Sequence, residues 1–567
     1  MSVTGVPAPR AGCVRSLPEL LARRADAQPD EPAYTFLEDG EREGDSLTWQ
    51  AIERRSRAIS TAVAGRAPAG ARVLIMCPPG LDFVPAFFGV LGAGTIAVPC
   101  YPPKLARPSP ADQRDRTLDR LRAIVSDAKP AVLLATSGVL ERAASMVTLV
   151  PELETATWLN VEQTDPRPGT ARPPIDPDAV AFLQYTSGST AEPRGVMVTH
   201  ANLLHNLADA HILAEHDEAT ASVSWLPVIH DMGLIQGVLQ AAFSGFPAWL
   251  MSPAAFLQRP VRWLQAITRV RATISGGPNF AYDLCSRRIT ADERAALDLR
   301  SWRHAFNAAE PIRRGTLETF AAGFARCGFD AGAFRPSYGL AEATLLVSTG
   351  RGLTTSCGIP APSTAVRIVD PLSAVHCATG TTGEIWIKGP GVAAGYWNQP
   401  DATRATFANV IADTGEGPFL RSGDLGVLTP DGLQITGRIK DVLIVRGVKH
   451  FPQDIEETIE RASPVLRAGC CAVFALPGAS GDRVGVAAEI DATRETSTTA
   501  VIAHIREAVG TAHGIQVSAV ALIAPGTIPK TTSGKLQRFA CREGLLHGRL
   551  SPFSVWTADE PPLAEAS

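Results

Sequence analysis

The residues Tyr185-Thr186-Ser187-Gly188-Ser189-Thr190-Ala191-Glu192-Pro193-Arg194-Gly195 place four hydroxyls, those of Thr186, Ser187, Ser189 and Thr190, around one glycine. An apolar run from Ala179 to Phe182 leads in, and Val196-Met197-Val198 leads out. The pattern predicts a loop between two strands. Gly188 and Gly195 let the main chain approach a bound group closely. Backbone N–H groups and hydroxyls that face inward from such a loop bind anions, and a polyphosphate suits this spacing. The same composition also makes an ordinary surface turn. It is not a Walker A loop, because no Gly-Lys-Ser/Thr follows the first glycine at the required spacing.

The surrounding elements must hold this loop. Arg72 to Met76, Ile96 to Pro99 and Ala131 to Leu134 read as short buried strands. Leu81 to Leu91, and the stripe Leu118, Leu121, Ile124 and Val125, read as helices. Strands alternating with helices in this way predict parallel βαβ units. Asp165 to Asp178 contains five prolines and reads as a linker. Further on, three strand patterns each end at a polar turn. Ser222 to Leu226 runs into Pro227-Val228-Ile229-His230-Asp231-Met232-Gly233, with a helix expected over Leu234 to Phe243. Thr273 to Ser275 runs into Gly276-Gly277-Pro278-Asn279, and Trp302 to Phe306 into Asn307-Ala308-Ala309-Glu310. From Val366 the pattern changes to short alternating strands with glycine turns, and Gly437-Arg438-Ile439-Lys440-Asp441 separates these from a last stretch of mixed pattern.

The expected fold class is therefore α/β. A large N-terminal domain, residues 1–437, holds two parallel-rich βαβ subdomains and a small β-barrel-like subdomain. A hinge at 438–441 joins it to a smaller, mobile α+β C-terminal domain at 442–550. Residues 551–567 lack periodicity and are expected to be disordered.

The bulk numbers narrow the function. A net charge of −4 over 567 residues gives no basic surplus for nucleic acid or an anionic membrane. The ten cysteines include no Cys-x-x-Cys pair, which favours reduced, buried thiols over disulfides or zinc. Met1 to Ser16 has no apolar core segment. No run approaches the ~20 apolar residues of a membrane helix. A cytoplasmic protein without a membrane span is expected.

The order of the motifs is more specific than any one of them. The opening loop is followed by Ser337-Tyr338-Gly339-Leu340-Ala341-Glu342, Arg421-Ser422-Gly423-Asp424, Gly437-Arg438-Ile439-Lys440-Asp441 and Pro529-Lys530-Thr531-Thr532-Ser533-Gly534-Lys535. Together they closely resemble the adenylate-forming superfamily of acyl-CoA synthetases, luciferases and peptide-synthetase adenylation domains, from about Leu47 to Arg542. His230-Asp231-Met232-Gly233-Leu234-Ile235, the stretch from Gly276 to Cys285, Tyr338 to Leu345 and Phe451 to Glu456 are similar to fatty acyl-AMP ligases in particular.

The resemblance implies a substrate carboxylate attacking the α-phosphorus of ATP and expelling pyrophosphate. It places Thr186, Ser187, Gly188, Ser189, Thr190 and Arg194 on the β- and γ-phosphates and Glu342 on Mg²⁺. It places Tyr338 on one side of the adenine and Ala308, Ala309 and Glu310 on the other, with Ser337, Gly339 and Ala341 as further nucleotide-binding residues. Asp424 takes the ribose hydroxyls, with Arg438 beside them. Lys535 is the implied catalytic residue, an ammonium between two anions, and His230 stands between the acyl chain and the nucleotide. Met232, Gly233, Ile235, Gly276, Phe280 and Tyr282 are the implied acyl-binding residues, with core packing as the plain alternative. Lys440 is the implied hinge.

There are three departures from the pattern, the first in the phosphate loop and the other two bearing on the acceptor. Ala191 stands where most of the superfamily has glycine, and Arg194 where many have lysine; arginine keeps the charge and adds a planar fork. Fatty acyl-AMP ligases usually carry an insertion after Tyr-Gly-x-Ala-Glu that hinders use of CoA, and the stretch from Ser348 to Ser356 is too short to hold it. Lys449 follows Val448 on the side where CoA ligases shape their pantetheine channel. The expected function is activation of a medium- or long-chain fatty acid with ATP and Mg²⁺, then transfer to the phosphopantetheine thiol of an acyl carrier protein or polyketide synthase. The rivals are an acyl-CoA synthetase and a catalytically silent acyl-adenylate-binding regulatory protein.

Overall fold

The computed structural model describes residues 14–103, 116–164, 174–186, 193–446, 448–477, 483–491, 497–530 and 535–558. The phosphate-loop residues Ser187, Gly188, Ser189 and Thr190, most of the expected linker and the stretch from Thr531 to Gly534 lie outside them. The chain forms two compact units. The first comprises Met1–His376, Trp386–Ser422 and Thr429–Leu433; the second comprises Cys377–Ile385, Gly423–Leu428 and Gln434–Ser567.

The first unit contains two large sheets. One has six strands, in the order Thr157–Asn160, Val132–Ala135, Arg72–Met76, Ile96–Pro99, Val180–Thr186 and Arg194–Thr199. All pairings are parallel except the last. Val132–Ala135 and Ile96–Pro99 are buried at every residue, which is why they read as unbroken apolar runs. The helix Phe83–Gly92 is likewise buried throughout, as expected of a helix that is apolar all round. Its Gly89 lets it close on the helix Trp49–Ala64, since a Cβ there would fall 2.6 Å from the Ile59 side chain.

The second sheet has nine strands, in the order Ile359–Pro360, Leu346–Thr349, Phe334–Gly339, His304–Asn307, Ile274–Gly277, Ser222–Ser224, Ala248–Met251, Pro32–Glu38 and Arg42–Thr48. From Phe334–Gly339 to Pro32–Glu38 the strands run parallel. An aromatic core of Trp263, Tyr282, Trp302, Phe320 and Phe334 packs edge-to-face in this part of the unit, a favoured geometry for aromatic pairs. The small β unit expected after Val366 is a four-stranded sheet, ordered Ala365–Val369, Gly383–Lys388, Leu420–Thr429 and Gly432–Arg438.

Two expectations change. The helix after His230 begins at Met232 and is a π-helix through Leu239, continuing as α-helix over Gln240–Ser244. Gly233 and Gly237 draw its first turns close to the preceding strand and turn; a Cβ on Gly233 would sit 2.0 Å from the Pro227 carbonyl oxygen. Widened turns of this kind follow from packing, and an apolar run carries no mark of them. The expected disordered tail is shorter at its start. Pro552–Thr557 is a strand paired antiparallel with Val517–Ile523, and the Arg506 guanidinium lies 3.9 Å from the centre of the Trp556 ring. The alternation that builds this strand is too brief to stand out before its partner is known.

The second unit is built on the sheet Leu466–Leu476, Arg483–Ile490, Val517–Ile523 and Pro552–Thr557, with the hairpin Leu443–Val445 and Val448–His450 before it. Ile455, Ile459, Val501 and Ile505 on its helices Pro452–Ala462 and Thr498–His513 fill one core with the sheet. Nine cysteines lie among the described residues, and eight of them are buried. No helix among the described residues is long and apolar enough to cross a membrane.

Three histidines of the first unit, His200 and His304 buried and His216 half-buried with its ring enclosed, make stability depend on pH. Burial holds His200 and His304 down to about 4 and His216 to about 3, and the His200 Nδ1 accepts the Leu17 N–H. The unfolded chain binds protons on these rings at pH values where the folded chain does not, so their stabilisation is complete above about 6.5 and declines as pH falls towards 4. Denaturant midpoints measured from pH 7.5 to 4.5 are expected to fall steadily below 6.5. A flat profile over that range would show that the rings protonate without unfolding.

Candidate active site

In the first unit, Val180–Thr186 and Arg194–Thr199 form an antiparallel hairpin whose last pair is Thr186 with Arg194. Whatever Thr186 and Arg194 hold is thus held on two paired strands. Thr199 and Asn202 then form a reciprocal capping box that starts the helix His200–Leu213. Gln184, buried one residue before Tyr185, donates from Nε2 to the Ile229 carbonyl at 2.9 Å. This anchors the turn bearing His230 to the strand that leads into the phosphate loop. His230 itself is half-buried.

The strands Ser222–Ser224, Ile274–Gly277, His304–Asn307 and Phe334–Gly339 are parallel neighbours. The turns at their carboxyl ends therefore share one edge of the sheet. Those turns carry His230, Ala308 to Glu310, and Leu340 to Glu342, while Gly276, Tyr338 and Gly339 are in the last residues of their strands. The carboxyl edge of an open parallel sheet is where ligands bind in such folds. Sequence order alone scatters these residues over more than a hundred positions; the parallel register collects them.

Each turn is locked locally. Ala309 adopts φ 74°, a conformation uncommon for a residue with a Cβ. Glu310 Oε1 accepts the Phe280 N–H at 2.5 Å, and Asn279 Oδ1 accepts the Arg313 N–H at 3.1 Å. These bonds hold the turn to the helix Asn279–Arg288. Ser337 Oγ and Thr349 Oγ1 are 2.9 Å apart, and Tyr338 is buried. Gly339 must be glycine, because a Cβ would fall 1.7 Å from the Leu345 carbonyl oxygen. Ala341 lies buried within the same turn. Thr344, at φ 66°, reverses the chain just after Glu342, and its hydroxyl donates to the Gly391 carbonyl at 2.7 Å.

Tyr396 is the main residue that sequence reasoning missed. Its hydroxyl donates to Glu342 Oε1 at 2.9 Å, and the Arg194 guanidinium carbon lies 5.3 Å from its ring centre. Backbone bonds Met197 N–H to Gly395 O, Trp397 N–H to Gly195 O and Ala393 N–H to Glu342 O stitch the segment to both neighbours. Tyr396 therefore bridges the phosphate hairpin and the candidate metal carboxylate. Its one sequence signal is the cluster Gly395-Tyr396-Trp397-Asn398, and nothing local says where that cluster folds back.

The described residues contain no group of three or more His, Cys, Asp or Glu side chains able to hold a metal. Among the described residues Glu342 therefore belongs to no such cluster. That fits Mg²⁺ arriving with nucleotide, which uses one or two carboxylates together with phosphate oxygens and water. Tyr396→Phe keeps the ring and removes the bond that orients Glu342. Outer groups of this kind typically contribute 10- to 100-fold in metal affinity. The Mg²⁺ concentration for half-maximal binding of a non-hydrolysable ATP analogue should rise about tenfold. An unchanged Mg²⁺ titration would deny the tyrosine this role.

The implied acyl residues divide. Phe280 is half-buried and meets Trp225 edge-on at 6.0 Å. Gly276 lies against Phe306, whose carbonyl oxygen would be 2.2 Å from a Cβ. Met232 and Gly233 begin the π-helix, and Ile235 is buried on it. Tyr282 is enclosed by the aromatic core and donates its hydroxyl to the Phe306 carbonyl at 2.8 Å. Its contacts are those of a supporting core residue.

In the second unit, Arg438 Nε donates to Asp424 Oδ1 at 2.7 Å; the aspartate side chain is 9% exposed and the arginine 55%. Gly423, at φ 71°, turns the chain before Asp424, and its N–H donates to Glu384 Oε1 at 3.1 Å. Lys440 is exposed in the 3-10 turn Ile439–Asp441. Lys535 is also exposed, in a loop closed at its base by the pairing of Lys530 with Leu536 and by the Gln537 N–H on the Pro529 carbonyl.

The carboxyl-edge turns, the strand pair ending at Thr186 and Arg194, and a second unit that bears Lys535 suit an adenylate-forming enzyme. Comparison with known families agrees: the profile of AMP-binding enzymes matches residues 21–397, and that of the Disco-interacting protein 2-like AMP domain matches 440–553. The chain belongs to the AMP-binding enzyme family, whose members use ATP, and it is a ligase. It is 42% identical to a medium-chain-fatty-acid–[acyl-carrier-protein] ligase of Moorena producens, over 95% of this chain and 96% of that one. It is 38% identical to a long-chain-fatty-acid–AMP ligase of Mycobacterium tuberculosis, over 93% and 96%. The solved fatty acyl-adenylate ligase of Legionella pneumophila, in complex with acyl adenylate and pyrophosphate, is 37% identical and superposes with a TM-score of 0.72, covering 97% of this chain and 99% of that one.

Proposed function

We propose that this protein is a fatty acyl-AMP ligase that activates a medium- or long-chain fatty acid and passes the acyl group to the phosphopantetheine thiol of an acyl carrier protein. The observation that carries the reading is the bridge from Arg194 through Tyr396 to Glu342. It joins a polyphosphate-binding hairpin to a carboxylate suited to nucleotide-borne Mg²⁺. A carboxylate oxygen of the fatty acid attacks the α-phosphorus, and the bond to the pyrophosphate oxygen breaks. The thiolate then attacks the acyl carbonyl and AMP leaves. Two anions must meet in the first step, so the chain's cations supply much of the catalysis. Thr186 and Arg194 would hold the β- and γ-phosphates, and Glu342 would hold a Mg²⁺ that arrives with the nucleotide, whose charge would offset that of the phosphates. Asp424 accepts from the ribose hydroxyls, and Tyr338 faces the adenine. Lys535 offsets the charge between the substrate carboxylate and the α-phosphate. His230, fixed through Ile229 and Gln184 to the phosphate hairpin, orients the carboxylate.

A second reading, with CoA as acceptor, draws on one observation. The segment after Glu342 is short and strapped down. Gly350 and Gly352 donate to the Pro336 and Phe334 carbonyls, Ser356 Oγ donates to the Asp431 carbonyl, and Cys357 N–H to the Leu433 carbonyl. It has no slack for a CoA-excluding insertion. The deciding experiment supplies fatty acids of graded length, ATP and Mg²⁺ to purified protein, with CoA and a phosphopantetheinylated carrier protein in parallel. Acyl-AMP made and passed to the carrier with CoA untouched is the expected result. Rapid acyl-CoA formation would establish the second reading. No pyrophosphate at any chain length would mark a catalytically silent acyl-adenylate-binding protein.

A further inference from the structure

Arg538 opens the helix Arg538–Leu546 three residues after Lys535. Its guanidinium donates from Nε and Nη2 to the two oxygens of Glu456, at 2.7 and 2.8 Å, and from Nη1 to Asp441 Oδ2 at 2.7 Å. Glu456 is 1% exposed, and its Oε1 also accepts the Val473 N–H at 3.0 Å. That carboxylate is therefore fixed between the helix Pro452–Ala462 and the sheet of the second unit. Asp441 is different. It is the last residue of the turn Ile439–Asp441, directly after Lys440. On the loop side, the Gln537 N–H closes onto the Pro529 carbonyl at 2.9 Å, one residue before Arg538. One planar cation thus joins three things: the end of the hinge, the fixed carboxylate of the unit's core, and the base of the loop that carries Lys535. A lysine could not reproduce this, because it lacks the fork that spans two carboxylates.

We infer that Arg538, through Asp441, is a positioning residue for adenylation: it ties the Lys535 loop to the hinge so that both turn as one body. Its two arms have separable duties. The Glu456 arm holds the domain together, since breaking a buried pair leaves an uncompensated charge. The Asp441 arm sets the angle between hinge and loop. The inference rests on the proposed role of Lys535 in the first half-reaction.

The test compares Asp441→Ala, Asp441→Glu and Lys535→Ala in the full-length protein. Adenylation is read by pyrophosphate release. Transfer is read separately, from preformed acyl-AMP to the acceptor that the parent protein uses. Asp441→Ala keeps the bidentate Arg538–Glu456 pair, so its melting temperature should stay within about 2 °C of the parent's. Its kcat for adenylation should fall about tenfold with KM for ATP within twofold, while transfer keeps at least half its rate. Asp441→Glu should recover at least half of the lost adenylation. If Lys535→Ala adenylates normally, the role of Lys535 fails and this inference with it. If Lys535→Ala is inactive in adenylation but Asp441→Ala is not impaired, only the inference fails. It also fails if both half-reactions and the melting temperature of Asp441→Ala fall together, the mark of a purely structural contact.

Discussion

Lys535→Ala is expected to lower the rate of acyl-adenylate formation by about 10³, with ATP affinity changed less than threefold. Attack of a carboxylate on a phosphate that already bears negative charge is opposed by repulsion, and that repulsion grows as water leaves the site. An ammonium placed between the two groups acts most strongly when they are closest, in the transition state. Its loss therefore appears in kcat rather than in binding. The lysine is exposed on a loop whose base is closed by Lys530, Leu536 and Gln537. Burst measurements of pyrophosphate release, with direct titration of ATP, separate the two effects. Pyrophosphate release at the parent rate would remove Lys535 from the chemistry.

Asp424→Ala acts on binding instead. The carboxylate is 9% exposed and already engaged by Arg438 at 2.7 Å, so it is oriented before nucleotide arrives. Hydrogen bonds to a charged group contribute about 1.5–3 kcal/mol each. Loss of the acceptor for two ribose hydroxyls should weaken ATP binding by about 10²-fold. A dideoxy nucleotide supplies the control: parent and variant should bind it nearly alike. Equal ATP affinity in the two proteins would show that Asp424 serves only Arg438.

Both predictions use residues that were legible in the sequence, and for the same reason. Asp424 and Lys535 stand in short, ordered motifs whose residue types suit one reaction. The strands that lead to the first unit's turns were legible too. Val132–Ala135 and Ile96–Pro99 are buried on both faces, so they had to be unbroken apolar runs. The π-helix from Met232 was not legible, because a wider turn leaves the apolar pattern unchanged. Neither was the strand Pro552–Thr557, whose stability lies in its pairing with Val517–Ile523.

Two contacts illustrate the division. Glu342 and Tyr396 are 54 positions apart, and Asp441 and Arg538 are 97 apart. The sequence by itself determined the side chains on offer: a hydroxyl-rich stretch, the carboxylates of Glu342 and Asp424 and the ammonium of Lys535, in order along alternating strands and helices. Only the tertiary structure decided that Tyr396 meets Glu342 and that Arg538 meets Asp441. Motifs and periodicities record what neighbouring residues need from one another. A hydrogen bond across dozens of residues depends on where the packed sheets and helices bring the chain back, and no local pattern carries that information.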